Sequence, residues 1–257
     1  MCLAVLALRC IPGLPVLIAA NRDEFHARPT TPAAPWAGDG PAVYAGRDLR
    51  AGGTWMGASE AGRYALVTNY REPGRHADDA PSRGALVENW LRGSDSPATF
   101  MARLHAEGER YNGFNLIVGE ASGAWYYGNR GEAPHELGDG VHAVSNHLLD
   151  TPWPKLTRTR QAFERFLRHL PEPIEPGSLY ALLHDTEPAG DEELPATGLP
   201  LARERLLSSP FIISPDYGTR SSTVLAMHAD GRAELHERRF DAQGGTAGEV
   251  SLRFGWA

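Results

Sequence analysis

Two short runs, residues 3–8 and 15–20, are apolar throughout and rich in Val, Leu and Ile. Pro12, Gly13 and Pro15 separate them, which predicts an antiparallel hairpin with a tight turn. Neither run alternates with polar residues, so both faces of the hairpin are expected to be buried, between two layers. "GTWMGAS" and "YALVTNY" give two more strands turning near Gly62 and Arg63. "FNLIVGE" and "AWYYGN" form a hairpin around Ser122 and Gly123, and "VHAVSNH" a strand that ends at Asn146. "SSTVLAMHA" and "AELHERRF" close a third hairpin at Asp230 and Gly231.

Helical spacing separates these strands. Leu86, Val87, Trp90 and Leu91 share one face, and a second helix opens with Ser96 as N-cap and Pro97 in its first position. Residues 156–170 place Leu156, Phe163, Phe166, Leu167 and Leu170 at helical intervals, and a shorter helix is expected behind Ser178. The Pro-, Gly- and Ala-rich stretch from Phe25 to Leu49 predicts an irregular loop, and acidic "HDTEPAGDEELP" a mobile surface loop. Hairpins with helices grouped between them favour antiparallel sheet packed on helices over alternating βαβ units, hence an α+β layered sandwich.

Composition narrows the picture. A chain of 257 residues, 42 % hydrophobic and 22 % charged, is expected to fold as one soluble domain, 1–257, without staples. A net charge of −7 with no basic run argues against a nucleic-acid partner. No apolar run approaches the roughly 20 residues of a membrane span. "LAVLALRC" resembles a lipoprotein signal only superficially, because Arg9 precedes Cys10 and no basic segment leads the run. Cys2 and Cys10 fall at opposite ends of one strand, which excludes a disulfide between them. Two cysteines suit a reducing compartment, and the cytoplasm is the expected location.

Cys2 carries the main chemical signal. Removal of the initiator methionine would leave a residue bearing both a thiol and a free amine, and an amine of pKa about 8 is a usable base near neutrality. Asp23 ends the second strand, beside the start of the first, where it can orient that amine. Arg22 is placed to depress the thiol pKa or to hold an anionic group. Asn69 in "VTNY" and Asn146 in "VSNH" offer neutral amide donors for an oxyanion, and Arg220 in "YGTRSST" a clamp for a carboxylate or phosphate. Asn21, Glu24, Arg47, Trp55 and His147 complete the candidate substrate-binding set. Each has a structural alternative: strand-end Asn and Asp make turns, Glu24 and Arg28 form solvated loop pairs, and "GGTW" builds a tight turn with an aromatic plug. His135, His142 and His147 lack paired metal-ligand spacing, and no metal is expected.

The blocks "MCLAVLAL", "NRDEFHARPT", "GRDLRAGGTWMG", "VTNYREP", "SRGALVENWL", "YNGFNLIVG", "VSNHLLDTPWPKL" and "YGTRSSTV" resemble, in order, the NRDE-motif family that includes the transport and Golgi organisation protein 2 group. That resemblance implies a four-layer αββα sandwich like the N-terminal-nucleophile hydrolases, with the N-terminal-cysteine amidases as the nearest comparison. It implies Cys2 as nucleophile, Asp23 on its amine, Asn69 and Asn146 at the oxyanion and Arg220 in support. One departure stands out. The amidases carry Arg-Asn-x-Asp where this chain has Ala20-Asn21-Arg22-Asp23, so its arginine is displaced along the strand by about 6.6 Å. Two functions follow as expectations. One is an acyl hydrolase or acyltransferase acting on an amide or thioester, lipid-like or CoA-linked, with no cofactor. The other is a non-catalytic protein that binds and traffics haem or acyl-CoA.

Overall fold

The computed structural model describes residues 2–38, 40–171 and 173–257, with Cys2 described through its backbone. Met1, on whose removal the nucleophile reading depends, lies outside the described residues. The predicted first hairpin is β1 (Cys2–Ile11) and β2 (Leu14–Phe25), turning through Gly13 at φ +72°. Their alternate residues enter different cores: Ala4, Leu6, Leu8 and Ile18 pack against the second sheet, and Leu3, Val5, Ala7 and Leu17 against helices. This double burial is why neither strand alternates in polarity.

The segment expected to be a loop holds β3 (Thr30–Trp36) and β4 (Val43–Asp48). β3 contains Pro32 and Pro35, which an edge strand tolerates because its outward N–H groups have no ladder to join. After them come β5 (Met56–Ser59), β6 (Arg63–Asn69), α1 (Arg83–Arg92) and α2 (Pro97–Glu107). The Ser96 hydroxyl accepts from the Thr99 amide at 3.2 Å, the expected N-cap, which contributes about 1 kcal/mol. Then follow β7 (Phe114–Glu120), β8 (Gly123–Gly128), β9 (His135–Leu137) and β10 (Gly140–Val144), the last ending two residues before Asn146.

Next come α3 (Pro154–Arg168) and α4 (Pro176–Leu183), the latter beginning at Pro176 rather than behind Ser178. A short helix, α5 (Leu201–Leu206), precedes β11 (Tyr217–Met227), β12 (Arg232–Phe240) and β13 (Thr246–Gly255). The acidic segment is tied down at several points. Phe211 N donates to Asp185 O at 2.8 Å, Ala189 N to Ser208 Oγ at 2.9 Å, and Arg205 pairs with Asp191.

The strands form two antiparallel sheets, β10-β1-β2-β11-β12-β13 and β3-β4-β5-β6-β7-β8-β9. Helices α1 and α2 cover the outer face of the seven-stranded sheet through Trp90, Leu91, Phe100 and Met101. Helices α3 and α4 cover the six-stranded sheet through Phe163, Leu179 and Leu183. The result is the four-layer αββα sandwich. Among the described residues, no helix is long and apolar enough to cross a membrane.

Candidate active site

At the C-terminal end of β2 the alternation of the strand sends neighbouring polar residues in opposite directions. Asn21 and Asp23 face the helical layer and Arg22 faces the other sheet. Asn21 is 1 % exposed and fully engaged: its Nδ2 donates to Leu183 O at 3.0 Å and Pro210 O at 2.9 Å, while its Oδ1 accepts from Ser222 Oγ at 2.6 Å. It braces β2 against α4 and the segment before β11, and it is not among the residues that line the cleft described below.

Asp23 is equally buried and accepts from Thr219 Oγ1 at 2.7 Å. Burial pushes its carboxyl above the usual range, against the charge of Lys155, the Thr219 bond and the charge of Arg22. Opposite Asp23 the pairing of β11 slips between Thr219 and Ser221, a bulge that leaves Arg220 without a ladder position. Its Nη1 instead donates to Phe25 O at 2.9 Å and Arg28 O at 3.2 Å, so Arg220 fastens the turn after β2.

Arg22 is the register partner of Cys2. Its guanidinium lies 4.3 Å over the Trp55 ring, with Nη2 3.4 Å from Asp48 Oδ2. Burial opposes ionisation of Asp48, but the Ala51 amide, the Arg28 guanidinium at 2.6 Å and the Arg50 amide outweigh it and hold the carboxyl below its ordinary range. Trp55 is placed by a glycine-shaped seat: a Cβ on Gly46 would stand 2.4 Å from its ring. In the turn before it, Gly53 adopts φ +68° with the Gly84 backbone where a Cβ would go. Trp55 is thus the aromatic plug of the turn, and its ring also lines the cleft.

These groups line a cleft of about 1030 Å³ together with Glu24, Asn69 and Arg71. Seven arginines and five carboxylates stand on its described walls. Arg47 does not reach it. In β4, Val43, Ala45 and Arg47 face the helical side, where Arg47 stacks on Trp36 at 4.7 Å, while Asp48 faces the cleft.

Asn69 ends β6 and its carbonyl accepts from Asn146 Nδ2 at 3.1 Å. Asn146 is fully buried behind it, its Oδ1 accepting from Lys155 Nζ at 3.2 Å and Ser145 Oγ at 3.2 Å. The Asn146 side chain thus holds the backbone at the end of β6, where Asn69 stands at the cleft wall. His147 lies outside the lining, packed between Tyr70 and Trp153 with ring centroids 5.0 and 5.4 Å away, and burial lowers its pKa. Arg71 donates its amide to Asn146 O at 2.7 Å, lies over Trp153 at 4.8 Å, and pairs with Glu204 in a nearly buried ion pair.

Sequence reasoning missed Asp48, Arg71, Lys155, Glu204 and Thr219. Lys155 had a signal: residues 155, 159 and 163 form the buried stripe of α3, and a lysine on such a stripe is a buried charge. Among the described residues, no group of three or more His, Cys, Asp or Glu is arranged to hold a metal ion, and Cys10 is a free, exposed thiol.

The chain matches the Transport and Golgi organisation 2 family over residues 1–242. It is 39 % identical to the Transport and Golgi organization protein 2 homolog of Bos taurus over 238 residues, 87 % of this chain and 86 % of that protein. To the Homo sapiens homolog it is 35 % identical over 241 residues, with the same shares. Among solved structures, the Caenorhabditis elegans N-acylethanolamine-hydrolyzing acid amidase ortholog superposes with a TM-score of 0.50 over 87 % of this chain and 92 % of that chain, at 12 % identity. That likeness is one of fold, the N-terminal-nucleophile hydrolase sandwich.

Proposed function

The chain belongs to the Transport and Golgi organisation 2 family, and on that premise we propose that it is an acyl hydrolase or acyltransferase with Cys2 as its nucleophile. The observation that carries this reading is the register of the first hairpin. Cys2 pairs with Arg22, which puts the start of β1 next to Asp23 at the end of β2, where the cleft opens. After removal of Met1 the α-amine of Cys2 accepts the thiol proton, and the sulfur attacks the carbonyl carbon of an amide or thioester. Asn69, which lines the cleft and whose backbone carbonyl is held by Asn146, supplies the amide donor for the oxyanion, a donor whose loss typically costs about 3 kcal/mol of barrier. The intermediate expels its amine or thiol, which takes the proton back from the α-ammonium. Water or another acceptor then resolves the acyl-enzyme. The arginine excess of the cleft favours an acyl donor that also carries an anionic group, as an acyl-CoA does.

Cys2→Ala is expected to abolish turnover in a screen of acyl-thioesters, acyl-amides and acyl-esters, in a protein whose intact mass shows Met1 removed. Unchanged turnover in that variant, or a retained Met1 in active protein, sinks the nucleophile.

A second reading, retention of an amphipathic anion without turnover, is favoured by the engagement of Arg22 with Trp55 and Asp48, which ties its charge to the wall. For haem, the cleft supplies guanidinium partners for the propionates and His76 as an imidazole on its wall. Titration with haem and with acyl-CoA separates this from catalysis; affinity no greater than that of an unrelated protein of similar charge excludes it.

A further inference from the structure

We propose that Lys155 is a positioning residue of this site: its ammonium sets the orientation of the Asn146 amide and balances the charge of Asp23, so that the start of β1 meets one fixed polar frame. The proposal rests on the acyl-transfer reading above and adds a component to it.

Lys155 is the second residue of α3 and is 2 % exposed, on the stripe that Leu156, Thr159 and Phe163 press into the six-stranded sheet. A lysine is almost never buried so completely unless it is paired, because desolvating an ammonium costs several kcal/mol. A methionine would fill the same volume with no charge to desolvate. The ammonium has donors only, so the atom of Asn146 that meets it at 3.2 Å must be the amide oxygen. That choice turns Asn146 Nδ2 the other way, onto Asn69 O at 3.1 Å. A single chain, Lys155 to Asn146 to Asn69, therefore runs from the helix covering one sheet to the end of β6 in the other.

The charge of Lys155 also opposes the burial-driven rise of the Asp23 carboxyl, as do the Thr219 hydrogen bond and the charge of Arg22. Among the described residues, the groups acting on Asp23 include Lys155 from α3, Arg22 from its own strand, and Thr219 and Tyr217 from β11, the Tyr217 hydroxyl donating to Asp23 O at 3.3 Å. Arg22 in turn pairs in register with Cys2 and approaches Asp48 across the sheets. A cation held against Asp23 favours a carboxylate ready to orient the amine at the start of β1, and its positive charge favours the thiolate form of the Cys2 thiol.

The test needs no knowledge of the substrate. Alkylation of Cys2 by iodoacetamide is followed against pH in the full chain by peptide mass spectrometry, with the exposed Cys10 as internal reference. Lys155→Met is expected to raise the midpoint of Cys2 reactivity by about one pH unit, leaving Cys10 unmoved, and Lys155→Arg to restore most of the shift. Lys155→Gln, which keeps a donor for Asn146 Oδ1 without the charge, should behave as Lys155→Met does and serves if that variant does not fold. A Cys2 midpoint that ignores these changes overturns the positioning role and leaves the nucleophile standing. In the unmodified chain the midpoint should lie below the ordinary thiol value of about 8.5, and a midpoint at or above it overturns the role whatever the variants do. If Cys2 reacts at no pH, the acyl-transfer reading fails and this proposal falls with it.

Discussion

Arg71 and Glu204 are the two halves of an ion pair that almost no water reaches, with side chains 5 % and 4 % exposed. Thr197 donates to the same carboxylate from its hydroxyl and its amide. Removing one partner of such a pair leaves the other charge desolvated, and that is where its energetic weight lies. Glu204→Gln is therefore expected to destabilise the fold by roughly 3 kcal/mol in denaturant unfolding. Legibility at this scale was uneven for a physical reason. "ANRDEF" displays its polar residues plainly, and strand alternation puts Asn21 and Asp23 on one face and Arg22 on the other. Which face meets the cleft depends on what packs there, and hence on α4, β4 and β11. Arg47 illustrates the same limit, one position out of phase with Asp48 and turned toward Trp36.

Elements were legible where burial is symmetrical or periodic. The first hairpin, α1, α2 and the β11–β12 hairpin all follow from runs or spacings that admit one physical reading. Edge strands escaped. β3 carries two prolines and looks like loop until a neighbour supplies its hydrogen bonds, whereas β13 carries the strand alternation of Val250, Leu252 and Phe254, a signal that sequence reasoning missed. Apolar spacing predicts α3 from residue 156, whereas it begins at Pro154, and the difference leaves Lys155 off the stripe it shares with Thr159 and Phe163. The bulge in β11 leaves no local trace, because a register slip is a property of two strands, and so the turn-fastening role of Arg220 was not readable.

At the scale of the molecule, two sheets face each other across an apolar core that also encloses Glu237. This residue is 1 % exposed, with Oε1 accepting from the Ala33 amide at 2.9 Å. Burial pushes its carboxyl above the usual range, against the Ala33 bond and the charges of Arg239 and Arg22. A carboxyl raised in the folded state favours folding below its unfolded pKa and loses that contribution as pH rises through the folded value. Asp48, Glu72 and Asp150, all lowered, act in the opposite sense and lose their contribution as pH falls. Glu237→Gln should thus raise the melting temperature near pH 7.5 and change it little near pH 4, at about 2–4 °C per kcal/mol of buried charge removed. An equal shift at both pH values would show that packing, not ionisation, governs the site. The order of the six-stranded sheet has a last consequence, in time. β1 takes its neighbours from β2 at once but from β10 only after residue 140, and β2 receives β11 only after residue 217. A lone hairpin is marginal in water, so the strand bearing Cys2 waits for most of synthesis in an unfinished sheet. Thr219, Lys155 and Asn146 all arrive late. A growing or truncated chain therefore carries Cys2 without these late neighbours, and under the acyl-transfer proposal it gains reactivity only once β11 has joined the sheet.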